Sequence, residues 1–187
     1  MQATMHITQA GMAAIASSEQ QQPGLEKVFL QHKDLVFRAA YRVTGNATDA
    51  EDVLQTVFLR LARQTTLPDI GNLPGYLHRS AVNASLDILR SRKESRTLSL
   101  DDENNSVEPA SRGDAQVAAE VRDWLRHALA RLNPRWAEMF VLRFVEELTN
   151  RDVARMMNTS PAVVAVILHR TRTQLKKDFK SLARGRQ

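Results

Sequence analysis

The chain has 187 residues, 43% of them hydrophobic and 25% charged, a balance that suits a soluble globular protein of one medium or two small domains and argues against global disorder. A net charge of +5 favours polyanionic partners, nucleic acid or an anionic membrane surface, although an ordinary basic protein carries the same charge. The absence of cysteine removes disulfides, thiol nucleophiles, cysteine-type zinc sites and thiol redox sensing, and no apolar run approaches the ~20 residues of a membrane span.

Residues 1–24 are small and polar, with a glutamine run at Gln20–Gln22 followed by Pro23 and Gly24, and read as a mobile tail. They have neither a basic start nor a sustained apolar core, so a secretion signal is not expected. From Leu25 the pattern turns helical, with Val28, Phe29, Leu35, Val36, Ala39, Ala40 and Val43 on one face and a break at Gly45–Asn46. A second helix is expected from Thr48, whose spacing to Glu51 makes a capping box. Its apolar stripe is Ala50, Val53, Leu54, Val57, Phe58 and Leu61, and its other face carries Glu51, Asp52, Gln55, Thr56, Leu59 and Arg60. Taken alone, that second face reads as solvated.

Residues 64–74 hold two prolines and a glycine and are expected to be loop. Helical spacing returns from Gly75 to about Lys93, with Leu77, Ala81, Ala84 and Ile88 as the buried stripe and Arg90, Arg92 and Lys93 at a C-terminal end that suits cations. Asn and Arg on such a helix can hydrogen-bond bases and phosphates, and Tyr76 can stack on an unpaired base. Taken alone, this stretch reads as core packing of Tyr76 with Asn83 and Asp87 on the surface. Between Glu94 and Glu120 seven acids face two bases, with Pro109 and Gly113 among them, which marks an acidic linker that becomes helical near its end.

The remainder reads as four helices. Val117, Val121, Trp124, Leu125, Ala128 and Leu132 mark the first; Asn133 caps the second, with Pro134 in its first turn and Ala137, Phe140, Val141 and Phe144 buried. Thr149 caps a short third helix, Asn158–Thr159 form a turn, and Ser160 caps a last helix from Pro161 to about Phe179. A short helix, tight turn and longer helix make a helix-turn-helix unit, and seven bases against one acid from Ala165 onward supply phosphate contacts. A helical hairpin with a solvated basic end has the same pattern. No run of alternating β-branched residues is long enough for a sheet, so the expected fold is all-α, with two small helical domains. The expected boundaries are a tail at 1–24, a first domain at 25–95, a flexible acidic linker at 96–115, a second domain at 116–182 and a basic tail at 183–187. His6, His32, His78, His127 and His169 lack metal-ligand spacing, and no nucleophile is paired with a base, so no metal, cofactor or catalytic site is expected.

Three stretches together resemble one family. DAEDVLQTVFLRLAR, Asp49 to Arg63, looks like the second conserved region of extracytoplasmic-function (ECF) sigma factors, sigma-70 family. NLPGYLHRSAVNASLDILRSRK, Asn72 to Lys93, resembles the promoter-melting helix that follows it, and Leu132 to Phe179 resembles the fourth conserved region. The resemblance implies a cytoplasmic, non-enzymatic promoter-specificity subunit whose partners are core RNA polymerase (the β′ clamp helices and β flap), promoter DNA and an anti-sigma factor. It implies no small-molecule substrate and no membrane insertion. Asp52, Gln55, Thr56 and Leu59 would grip the polymerase. Asp69, Asn72, Tyr76, Arg79, Asn83 and Arg90 would engage the −10 element, where extruding a base costs a few kcal/mol that pocket contacts offset. Arg151, Ser160, Pro161, Val163, Val164, Ile167, His169, Arg170 and Arg172 would serve the −35 element.

The chain departs from the family pattern at Thr56, where an acid is usual, at Val82, where Arg is usual, and in the recognition helix, where Val163, Ala165, Val166 and Ile167 replace polar or basic residues. Apolar side chains read thymine methyls but make no bidentate base contacts. The −35 readout is then expected to rest on phosphate contacts, methyl contacts or DNA shape; alternatively this helix packs against an anti-sigma factor or the first domain. A stand-alone helix-turn-helix regulator, and an inhibitory module that binds polymerase without reading a promoter, are the competing functions.

Overall fold

The computed structural model describes residues 22–64, 72–98 and 114–184, which form seven helices and, among the described residues, no strand. Residues 1–21 of the expected tail, most of the acidic linker, the loop holding Asp69 and residues 185–187 lie outside the described residues, and the first helix begins at Gln22, inside the expected tail. Helices α1 (Gln22–Thr44), α2 (Ala47–Ala62) and α3 (Leu73–Leu98) pack mutually in the N-terminal half. Helices α4 (Asp114–Leu129), α5 (Pro134–Phe144), α6 (Asn150–Met156) and α7 (Pro161–Arg184) make the C-terminal half.

The sharp turn between α1 and α2 depends on Gly45, whose φ of +68° is a left-handed conformation that costs glycine little. A Cβ there would also collide with the Arg126 guanidinium, which reaches across from α4 and donates to the Val43 carbonyl at 3.3 Å. The cap of α2 is Asn46 rather than the expected Thr48. The Asn46 side chain accepts from the Asp49 amide at 3.2 Å, which places the cap two residues earlier. Likewise α3 begins at Leu73, inside the expected loop, because Asn72 Oδ1 accepts from the Gly75 amide at 3.0 Å and Pro74 fits a first turn that needs no amide. Beyond Lys93 the same helix continues to Leu98, and α7 runs on past Phe179 to Arg184.

Two apolar cores result. Val36, Ala40, Val53, Leu61, Leu77 and Ala81 are buried in the first, where Phe29 meets Phe58 edge-on at 4.9 Å between ring centroids. Met139, Val141, Leu142, Val153, Val164 and Leu175 anchor the second. Val43, Val82, Leu86 and Leu89 come from α1 and α3 but are buried in that second core, so α3 is apolar on two faces and sits between the halves. The sequence stripe Leu77, Ala81, Ala84 and Ile88 describes one of those faces. The other, with Val82, Leu86 and Leu89, was not anticipated.

Candidate nucleic-acid and polymerase interface

Three surfaces collect the candidate residues. On α2, Asp52, Gln55 and Leu59 are exposed and Thr56 is half-buried, which one helical face explains through the i, i+3, i+4, i+7 spacing. Leu59 stands 55% exposed, and with Gln55 it lines an open apolar trough of about 650 Å³ whose other wall is Leu25 and Phe29 of α1. An apolar trough beside an exposed acid suits docking of a protein helix with apolar and basic side chains.

On α3, Asn72 is occupied as the helix cap, and Tyr76 is half-buried with its hydroxyl accepting from Gln64 Nε2 at 3.3 Å. Arg79 and Asn83 point toward the C-terminal half. Arg79 Nε donates to Glu138 Oε1 at 2.5 Å, its Nη1 donates to the Met156 carbonyl at 3.0 Å, and Asn83 Nδ2 donates to the same Glu138 oxygen at 3.0 Å. Just past the end of α5, Glu146 Oε2 meets His78 Nε2 at 2.7 Å and accepts from Arg42 Nη1 at 3.0 Å. Arg90 is turned elsewhere. Its Nη1 donates to Asp87 Oδ1 at 2.9 Å, while Nε and Nη2 are buried without a hydrogen-bond partner among the described residues.

The third surface is the helix-turn-helix. Thr149 Oγ1 accepts from the Asp152 amide at 3.2 Å and donates to Asp152 Oδ2 at 2.5 Å. That hydroxyl holds the Asp152 carboxyl below the ordinary carboxylate range against the opposing effect of desolvation, with lesser help from the Thr149 backbone and Arg155. Asn158, at φ 49°, turns the chain, and the Thr159 amide closes back on the Ala154 carbonyl at 2.9 Å. Ser160 Oγ then accepts from the Val163 amide at 3.2 Å and starts α7. Along α7, Pro161, Val163, His169, Arg170 and Arg172 are exposed, as are Ser160 before it and Arg151 on α6. Val164 corrects the expectation: it is fully buried in the second core and faces away from any ligand, because it lies one residue around the helix from Val163. Ile167 is half-buried against the same core, and Arg172 lies over the Phe144 ring at 5.6 Å.

Sequence reasoning missed Glu138 and Glu146. A signal was present: Met139 to Leu142 is an unbroken apolar run in a helix, which means burial all round. An acid next to such a run needs a partner. Among the described residues no group of three or more His, Asp or Glu could hold a metal, and no helix is long and apolar enough to cross a membrane.

Caps, turn and exposed basic helix together define a helical DNA-binding protein of the helix-turn-helix class, joined here to a second helical unit with its own docking face. Comparison with known proteins narrows this. Residues 28–95 match the family model for sigma-70 region 2, and residues 122–175 match that for sigma-70 region 4. The chain belongs to the sigma-70 family as an ECF RNA polymerase sigma factor. Over 156 residues it is 31% identical to the ECF RNA polymerase sigma factor SigE of Mycolicibacterium smegmatis, covering 82% of this chain and 61% of that protein. It is 26% identical over 164 residues to the ECF RNA polymerase sigma factor SigW of Bacillus subtilis, covering 81% of this chain and 86% of that one. Among solved structures, CnrH in complex with the cytosolic domain of CnrY shares the fold at a TM-score of 0.51 and 19% identity, with 91% of this chain and 96% of that chain covered.

Proposed function

We propose that this sigma factor acts in the cytoplasm, where it binds core RNA polymerase through the α2 face and carries it to a two-part promoter. Asp52, Gln55, Thr56 and Leu59 grip the β′ clamp helices, and the C-terminal half seats on the β flap. Asp69, Asn72, Tyr76, Arg79, Asn83 and Arg90 engage the −10 element. Arg151, Ser160, Pro161, Val163, His169, Arg170 and Arg172 serve the −35 element, with thymine methyls read by Val163 and phosphates held by the bases. Residues 25–95 and 116–182 are the two working units, and the chain itself performs no catalytic step. An anti-sigma protein is the proposed inhibitor, and the exposed apolar pair Val163 and Val166 on α7 is the surface that supports it.

The observation that carries this reading is the exposed Asp52–Leu59 face beside its apolar trough, in the same chain as a helix-turn-helix. A stand-alone DNA-binding regulator has no use for such a face. The test is transcription in vitro by core polymerase on a library of upstream sequences, with wild type and with the Asp52→Arg, Gln55→Ala variant. Discrete new starts that share −10 and −35 sequences, lost in the variant, are expected. Duplex binding without polymerase, unaffected by the variant, would point to a stand-alone regulator. Polymerase binding without new starts would point to an inhibitory module.

A further inference from the structure

The halves meet through charge as well as apolar contact. Glu138 and Glu146, both from the α5 region, are almost fully buried, with side chains 7% and 2% exposed. Each accepts hydrogen bonds from two side chains of the other half: Arg79 and Asn83 on Glu138, His78 and Arg42 on Glu146. Arg79 spends its remaining donor capacity partly on the Met156 carbonyl at the end of α6. Beside these pairs lies the apolar seam of Val43, Val82, Leu86 and Leu89.

We propose that Glu138 and Glu146 form an internal clasp that keeps the free protein closed and covers Arg79 and Asn83 against DNA. The covering function rests on the promoter-contact reading of those two residues; the clasp itself does not. A carboxylate imitates a phosphate for a guanidinium, with the same sign of charge and the same hydrogen-bond geometry. While Glu138 holds them, Arg79 Nε and Asn83 Nδ2 are turned to a carboxylate rather than to a phosphate or a base edge. Buried ion pairs gain little net free energy, because desolvation of both charges offsets their attraction. The clasp therefore sets which surfaces meet while leaving the closed state reversible. The arginines are the accessible partners, with Arg79 at 40% and Arg42 at 54% exposure, so polyanions and salt reach the clasp from that side. The Val82 side chain, fully buried in the seam, fits this device. It extends the apolar seam next to Asn83 and adds no charge that would compete for Glu138.

The experiment uses the full chain. Because it has no cysteine, donor and acceptor dyes placed at Asp34→Cys on α1 and Gln174→Cys on α7 report closure by energy transfer. Binding is read in parallel by anisotropy of a dye-labelled, random-sequence single-stranded DNA 20-mer. The Glu138→Gln, Glu146→Gln variant is expected to lose energy transfer and bind the 20-mer about tenfold more tightly. A charge-matched control, Glu51→Gln with Glu147→Gln, stays closed and gains much less. Adding Arg79→Ala to the opened variant removes its gain. If the opened variant loses helicity, the exchange Arg79→Glu with Glu138→Arg decides: each single change opens the protein and the pair closes it. Unchanged energy transfer in folded variants overturns the clasp. Opening without a gain in DNA binding overturns the covering function. Wild-type promoter-specific transcription, read separately, tells whether the sigma-factor reading stands in either case.

Discussion

Val82→Arg probes whether the two cores are separable. Val82 is fully buried on α3 in the seam against the C-terminal core. The other seam residues, Val43, Leu86 and Leu89, bury about 1.5–3 kcal/mol each, or roughly 5–9 kcal/mol together as an upper bound. Because one chain joins the halves, separation regains tethered freedom worth roughly 4 kcal/mol at an effective concentration near millimolar. The seam's net hold is then a few kcal/mol. A buried, unpaired guanidinium costs several kcal/mol, which is enough to overcome it. Glu138 offers no relief, since Arg79 and Asn83 already occupy it. The variant is expected to open rather than unfold, because Leu77 and Ala81 on one side, and Met139 and Leu142 on the other, remain in their own cores. Small-angle scattering should show the radius of gyration rising by several ångströms above the wild-type value, against ~16 Å for a compact chain of this length. Far-UV circular dichroism should be unchanged. A variant that loses helicity in step with compactness would refute the reasoning, since the seam would then belong to a single cooperative core.

Other substitutions test local elements. Leu142→Ala empties a fully buried site and should cost about 2–5 kcal/mol, seen as a lower urea midpoint with an unchanged slope. Thr149→Ala removes the cap of α6 and should cost about 1 kcal/mol in the same assay. It also removes the main influence that depresses the Asp152 pKa. A depressed carboxyl stabilises the fold above its unfolded pKa and loses that contribution as pH falls through the folded one, so Thr149→Ala should flatten the acid limb of stability against pH. Glu147→Gly should stabilise by about 1 kcal/mol, because Glu147 sits at φ 58°, where a side chain is strained and glycine is not; an unchanged melting curve would count against that strain.

The helices themselves were legible one at a time. Asn133, Thr149 and Ser160 cap the helices they were expected to cap, since a cap is a contact between residues two or three apart. The stripe of α2 appears as the buried set Ala50, Val53, Val57, Phe58 and Leu61, because periodicity alone dictates which face of an amphipathic helix leaves water. Where a cap had two candidates within three residues, as with Asn46 and Thr48, local rules were nearly balanced and the turn at Gly45 decided.

Contacts between residues far apart in the chain were not legible. Arg79 and Glu138 are 59 positions apart, and Arg42 and Glu146 are 104 apart. The apolar run Met139 to Leu142 marks Glu138 as an acid in need of a partner, but nothing in a window of one helix says which distant residue that partner is. The second apolar face of α3 has the same cause: Val82, Leu86 and Leu89 look like excess hydrophobicity until a second core is set against them. The sequence by itself determined seven helices' worth of short-range order and two sets of apolar residues sufficient for two cores. Tertiary structure decided how those cores meet, which polar groups are used up in the meeting, and that Val164 is core while Val163 faces water, because these follow from packing between surfaces that no local pattern specifies.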